Sequence, residues 1–378
     1  MTEAAKKAVT MRDVAKRCGV NHATVSRALR SDPRVKPETA NRILAEALAM
    51  GYDPSSQVAA RRLAMQKTGK QQPNYLIATA VPYAYYKMAY FNQLYTGISE
   101  QLSLEDCTLI TSYLCYPNDE QFLQRLQQNY LYHGARGFIA IPAYYVLPGT
   151  KQQTILQTTF GNPPIVYVMD EIPGAASVIT DDRMGGYLAA KRLLECGHQD
   201  ILHLIYPTFG NRQDRRLAGV QQAFAEHGLD STNHLYQFKL PMIEWLCPEN
   251  LRLRTAEGTL LRDGGHQLLK YLQRHPQITA LIGINDVSAI WAWNVLESVG
   301  WRIPEDISIV GYDDVTEKLD AEGHNLLSVV HLPLRQAGRE AARIIISILR
   351  GESARDSQVN LPVEFIDRRS IAAPRITR

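Results

Sequence analysis

At 378 residues the chain exceeds what one compact core holds, and it is expected to divide into a small domain and a larger body of two lobes. Apolar content of 45% and charged content of 21% are ordinary for a soluble globular protein. No apolar run approaches the roughly 18–20 residues that cross a bilayer, and residues 1–7 lack the apolar stretch of a secretory signal, so the cytoplasm is the expected location.

The net charge of +3 conceals an asymmetry. Residues 1–70 carry 14 Lys/Arg against 6 Asp/Glu, whereas the remainder carries 27 against 32. A basic front on a mildly acidic body points to a polyanionic partner for the front alone. Five scattered cysteines (Cys18, Cys107, Cys115, Cys196, Cys247) contain no C-x-x-C pair, which argues against a disulfide framework or a zinc site.

Thr10-Met11-Arg12-Asp13 reads as a helix start, with Thr10 capping free amides and Asp13 at the positive helix end. Val14, Ala15 and Cys18 form an apolar stripe that Gly19-Val20 interrupts. Asn21 can cap a second helix through Val25, Ala28 and Leu29, which turns Asn21, His22, Ala23, Thr24, Ser26 and Arg27 outward. Pro37 opens a third helix that ends at Gly51, although Lys36 is a poor cap for it. Residues 1–52 therefore form an all-α unit whose first two helices meet at a tight turn. Residues 53–73 change character, and a segment this short is helical only when a partner holds it, so it reads as a hinge and linker.

From residue 74 to 378 the pattern alternates between strand and helix. Strands are expected at 75–81, 107–113, 137–141, 165–169, 201–205, 280–284 and 307–312. Apolar strands separated by amphipathic helices imply parallel sheets covered on both faces, and the length suits two doubly wound α/β lobes. Residues 239–264 fit neither period and read as an irregular insertion. The chain contains no P-loop, no G-x-S-x-G elbow and no H-E-x-x-H, and its adjacent pairs Asp181-Asp182 and Asp313-Asp314 point apart as neighbours do. An enzyme is therefore not expected, nor is a cofactor or metal.

Val9-Thr10-Met11-Arg12-Asp13-Val14-Ala15 with Gly19-Val20 and Thr24-Val25-Ser26-Arg27-Ala28-Leu29 resembles the helix-turn-helix head of the lactose/galactose-repressor family. Arg216-Leu217-Ala218-Gly219, Asn285-Asp286, the run from Ile303-Pro304 to Val310-Gly311-Tyr312-Asp313-Asp314, and Leu332-Pro333-Leu334 resemble that family's periplasmic-binding-protein-like sensor domain. The resemblance implies a transcription regulator, expected to be a repressor. It implies a homodimer on a near-palindromic double-stranded DNA operator and a small-molecule effector, a sugar or sugar derivative, in the cleft between the lobes. It also implies three chain crossings between the lobes, expected near 178–180, 326–329 and 353–358. The N-terminal lobe would then comprise 74–178 plus 329–352, and the C-terminal lobe 179–326 plus 356–378.

By the same resemblance His22, Ala23 and Arg27 face base edges, and Arg27 can donate two hydrogen bonds to a guanine. Asn21, Thr24, Arg34 and Lys36 are expected near phosphates, which set register without reading sequence, and Thr10 is a further expected DNA contact. In the hinge, Leu63, with Ala60 beside it, resembles an apolar wedge between base steps. Pro54 to Leu63 is nine residues rather than the usual seven, which leaves Val58 as an alternative wedge. Expected effector contacts are Tyr90, Phe91, Asp170, Arg216, Asn285 and Asp313. Guanidinium, amide and carboxylate together suit a polyhydroxylated or heterocyclic ligand. Asp181 reads as a helix cap. Tyr83, Tyr85 and Tyr86, crowded near Tyr90, are equally compatible with an interface.

Overall fold

The computed structural model describes residues 9–28, 34–50, 52, 75–82, 89–114, 134–141, 164–206, 211–240 and 264–375. Ala60, Leu63 and the rest of the hinge lie outside the described residues, as do Tyr83, Tyr85, Tyr86 and most of the 239–264 segment.

The head has three helices, α1 Met11–Cys18, α2 His22–Ala28 and α3 Pro37–Ala49. Thr10 and Asp13 close a reciprocal cap on α1, the Thr10 amide donating to Asp13 Oδ2 at 2.8 Å and the Asp13 amide to Thr10 Oγ1 at 3.4 Å. Gly19 then takes φ 64°, which only glycine adopts without a steric cost, and turns the chain toward α2. Asn21 Oδ1 accepts from the Thr24 amide at 2.7 Å and starts α2. Val14, Ala15, Val25, Ala28 and Ile43 bury together, which satisfies the apolar stripes of all three helices at once.

The body begins with β1 Leu76–Pro82, α4 Ala89–Leu104, β2 Thr108–Leu114, β3 Gly137–Ala140, β4 Ile165–Val168 and β5 Ala176–Thr180. It continues through α5 Asp182–Glu195, β6 Ile201–Ile205, α6 Asn211–Glu226, α7 Ser231–His234, β7 Leu235–Lys239, α8 His266–Arg274, β8 Ala280–Ile282, α9 Asp286–Glu297 and β9 Ser308–Asp313. The last elements are β10 Ser328–His331, α10 Leu334–Arg350, β11 Gln358–Leu361 and β12 Glu364–Ile366. Two six-stranded sheets result, ordered β11-β5-β4-β3-β1-β2 and β12-β10-β9-β8-β6-β7. Every pairing is parallel except β10 with β12.

All seven expected strands are present, with ends shifted by two residues at most. Five others were not expected from the sequence: β5, β7, β10, β11 and β12. Of these, β7, β11 and β12 are sheet edges and only partly buried, so they lack the continuous apolar run of an inner parallel strand. The second and third chain crossings also lie later than expected. β10 hydrogen-bonds to β9 and stays in the second lobe through His331, and β11 pairs with β5 and stays in the first lobe through Leu361. The crossings are thus at 180–182, 331–334 and 361–364, because strand pairing rather than the helix boundary decides the lobe.

Each lobe contains a helix pair in glycine-faced contact. A Cβ on Gly97 of α4 would lie 1.9 Å from the Arg335 carbonyl of α10, and one on Gly219 of α6 would lie 1.9 Å from the Arg183 carbonyl of α5. Gly186 faces the Arg216 carbonyl just as closely, at 2.0 Å. Substituting Gly219→Ala must force α5 and α6 apart. We expect a loss of about 1–3 kcal/mol, typical of overpacking, in urea denaturation. A similar loss from Gly228→Ala, where a Cβ would meet open space, would point to backbone strain instead, because Gly228 has φ 71°.

Candidate functional sites

In the head, the side chains of α2 sort by face. Val25 and Ala28 are buried against α1 and α3, while Asn21, His22, Ala23 and Arg27 are exposed and Thr24 is half-buried. His22, Ala23 and Arg27 thus stand together on one solvent face, with the basic exposed residues Arg34 and Lys36 after it. Three polar residues expected to contact DNA have structural work as well. The Thr10 hydroxyl donates to Asp13 Oδ2 at 2.6 Å, Asn21 caps α2, and the Thr24 hydroxyl donates to Asn21 Oδ1 at 2.9 Å.

In the body, one buried carboxylate organises the space where the lobes meet. Asp182, the first residue of α5, is 1% exposed. Its Oδ1 accepts from Arg216 Nε at 2.9 Å and Arg212 Nη2 at 3.3 Å, and its Oδ2 from Arg212 Nε at 3.0 Å and Arg215 Nη2 at 3.3 Å. Burial alone would push this carboxyl up. The guanidinium groups of Arg212 and Arg216 overcome that and hold it at about 2. Adjacent Asp181 points the other way, its Oδ1 accepting from the Met184 amide at 2.9 Å as the cap of α5.

The arginines carry this cluster in three directions. Arg212 Nη1 donates at 2.9 Å to the hydroxyl of Tyr90, in the first turn of α4 in the other lobe. Burial pushes the Tyr90 phenol up to about 12 despite this cation. Arg215 Nη1 lies 3.8 Å from Glu171, also in the first lobe. Arg216 stays within the second lobe, where its guanidinium carbon sits 3.6 Å above the Tyr312 ring and Nη1 donates to the Ile284 carbonyl at 2.5 Å. Its Nη2 lies 3.7 Å from Asp313 Oδ1.

Asp313 ends β9 with φ 92° and Asp314 follows with φ 61°, a left-handed pair that aspartate tolerates better than bulkier residues. Asp313 is 7% exposed, and burial pushes its carboxyl up against Arg216 and Arg212. Asp314 instead bonds His331 at 3.1 Å and Arg368 at 2.9 Å. Asn285 caps α9, its Oδ1 accepting from the Ser288 amide at 2.8 Å, so much of its hydrogen-bonding capacity goes to the fold. Asp286 anchors the loop after Asp314, accepting from the Val315 and Thr316 amides at 2.7 and 2.6 Å. Burial and then Asp313 push its carboxyl up to about 7 in spite of those amides.

Tyr90, Arg216 and Asp313 lie close enough to act on one another electrostatically, and Asn285 follows Ile284, whose carbonyl accepts from Arg216. Phe91 does not join them by its ring face: it is buried in the core, edge-on to Tyr90 at a centroid separation of 5.2 Å. Asp170 is buried after β4 and accepts from the Glu171 amide at 2.9 Å. Sequence reading missed Arg212, Arg215, Asp182 and Tyr312. The spacing of Arg212 to Arg216 was the available signal, since residues four apart share a helix face. No helix among the described residues is long and apolar enough to cross a membrane.

Asp182→Asn leaves two buried guanidinium groups without their shared anion. We expect a stability loss of about 3–5 kcal/mol at neutral pH, read by urea denaturation. The Asp182 carboxyl is held below its ordinary value in the fold, so its contribution is present above about pH 4 and fades as pH falls toward 2. Destabilisation over that window should be shallower in the variant than in the parent.

Comparison with known proteins supports both halves. Residues 10–55 match the model of bacterial regulatory proteins of the lacI family, and residues 190–371 match a periplasmic binding protein-like domain. The chain is 26% identical over 370 residues to the HTH-type transcriptional repressor PurR of Haemophilus influenzae, covering 96% of this chain and 98% of the relative. It is also 26% identical over 363 residues to the ribose operon repressor of Bacillus subtilis, with the same coverage. Among solved structures, a CelR–cellobiose complex aligns with TM-score 0.62 at 21% identity over 96% of this chain and 99% of that one. A lac repressor dimer bound to operator aligns with TM-score 0.61 at 22% identity over 97% and 100%. The chain thus joins a lacI-family helix-turn-helix head to a two-lobed periplasmic-binding-protein-like body, the arrangement of the lacI-family transcriptional repressors it resembles along 96% of its length.

Proposed function

We propose that this chain represses transcription as a homodimer whose two heads occupy a near-palindromic DNA operator. A small molecule bound between the lobes, a sugar or sugar derivative, adjusts operator affinity. The observation that carries the reading is the arginine cluster at Asp182. It belongs to the second lobe yet contacts Tyr90 and Glu171 of the first, so a ligand inserted there changes how the lobes meet. Relatives point the same way: structures of similar fold are described with cellobiose and with ribose bound.

DNA reading falls to the exposed face of α2. Arg27 is the residue there able to donate a bidentate pair to guanine, with His22 and Ala23 beside it. Arg34 and Lys36 add sequence-independent attraction. Tyr90, Arg216, Asn285 and Asp313 line the effector site, with Phe91 and Asp170 supporting it from the core. Through the hinge, where Leu63 or Val58 wedges the minor groove with Ala60 alongside, lobe rotation alters the pairing of the two heads.

Two measurements test this. Duplexes enriched on the full-length protein by repeated selection should share a near-palindromic site. Arg27→Ala should weaken binding to that site by about 1–3 kcal/mol, tenfold or more, while hardly changing affinity for random duplex. Fluorescence anisotropy at several salt concentrations separates the two contributions, and equal losses on both DNAs would assign Arg27 to phosphate contact alone. In a second experiment Arg216→Lys, which loses the guanidinium fork but keeps the charge, should retain operator binding and lose the response to metabolites. An unchanged response would remove Arg216 from the effector site.

A further inference from the structure

Two of the three chain crossings between the lobes meet at one histidine. His331 is the last residue of β10, where the second crossing leaves the second lobe, and Glu364 is the first residue of β12, where the third crossing returns to it. The two are opposite partners in the antiparallel pairing of β10 with β12, so their side chains share one face of the sheet at close range. On its other side His331 pairs with Asp313, the end of β9.

The ring reaches the residue that follows. His331 Nδ1 lies 3.1 Å from Asp314 Oδ2. Asp314 Oδ1 lies 2.9 Å from Arg368 Nη2, and Arg368 Nη1 donates at 2.7 Å to the carbonyl of Leu327, the residue before β10. Asp314 thus joins three segments: the loop after β9, the strand entering the second crossing and the stretch that follows the third. The charged groups facing this junction are Asp313, Asp314, Glu364 and Arg368, with Asp286 of α9 holding the amides of Val315 and Thr316. Two carboxylates, Asp314 and Glu364, therefore flank the ring, and Arg368 is already engaged with Asp314 and a carbonyl.

An imidazole is the side chain that ordinarily changes charge between about pH 5 and 8. A neutral ring can still donate Nδ1–H to Asp314. A second proton adds positive charge between two carboxylates and makes that contact charge-assisted. The His331 side chain is 37% exposed, so the pair adds little to overall stability. Its effect falls on an equilibrium instead, since two lobe arrangements close in free energy are redistributed by any group that holds one of them more tightly.

We infer that His331 is a proton-operated clamp on the hinge between the lobes. Charged, it ties both crossings to the loop at Asp313-Asp314 and favours the lobe arrangement in which these contacts form. As pH rises through the imidazole range the proton leaves, and the lobes rotate more easily. Any consequence for DNA rests on the reading that lobe rotation alters operator affinity, whereas the clamp itself needs only the two-lobed body.

Lobe separation is the readout that tests it, because operator affinity would also register the charge of His22 on α2. Leu104, at the far end of α4, and Val299, just beyond α9, stand on different lobes and are 79% and 51% exposed. Azidophenylalanine in place of both, in the full-length chain, takes a pair of pH-insensitive dyes, and excess unlabelled protein keeps labelled subunits apart. Energy transfer should change along a one-proton curve across about pH 5 to 8, with the ratio of the two lobe arrangements shifting about threefold or more. The curve should be flat in His331→Gln, which keeps an amide donor for Asp314 and takes no proton. A flat curve in the parent, or the parent's curve in His331→Gln, overturns the inference. Should His331→Gln not fold, Glu364→Gln, at an exposed position, decides. Loss of the carboxylate opposite the ring should move the midpoint to lower pH, and an unmoved midpoint overturns the assignment to His331.

Discussion

A carboxylate with almost no exposure, sharing its two oxygens among three arginines, is expensive to place in a protein interior. Asp182 is tolerated because every one of its contacts is a charge-assisted hydrogen bond, and because the arginines cannot lose their protons to escape the arrangement. Its position at the start of α5 adds the positive end of a helix to the cations around it. Once Asp182 is fixed, Arg216 is fixed over Tyr312, Arg212 reaches Tyr90, and Arg215 reaches Glu171. Among the described residues, this cluster carries polar contacts from the second lobe to Tyr90 and Glu171 of the first.

That cluster depends on tight packing some distance away. α5 and α6 cross closely because Gly186 and Gly219 carry no Cβ at the contact, and the crossing brings the Arg216 backbone against α5. The same device joins α4 to α10 through Gly97 and Gly338, and α4 carries Tyr90. Both partners of the interlobe hydrogen bond thus stand on helices whose positions are set by backbone contact. Close packing of this kind has few intermediate arrangements. The head is built on a separate core, with Val25 sealing α2 and leaving its outer face to the solvent.

Much of this was legible in the chain. The caps at Thr10 and Asn21, the turn at Gly19 and the outward face of α2 follow from local chemistry, because each needs only neighbours within a few residues. Most inner strands were readable because a parallel strand covered on both faces is apolar throughout, although the inner strands β5 and β10 were missed. Edge strands such as β7 and β11 were not, since one side of each is left unpaired and its residues are mixed in polarity. Asp182 shows the limit most clearly. Its neighbour Asp181 was readable as a cap, and the argument that the two point apart was correct, yet that argument is also what sends Asp182 inward, where no local rule supplies its partners.

Sequence alone settled the kind of protein: a basic helix-turn-helix head ahead of an alternating α/β body, with the order of motifs carrying the family. Local periods and caps are short-range properties, so a linear text records them. Tertiary structure alone decided which charges meet. Asp182 lies 30 residues from Arg212, and Tyr90 lies 122 from it, and only the crossing of the chain between the two sheets brings them within hydrogen-bonding distance.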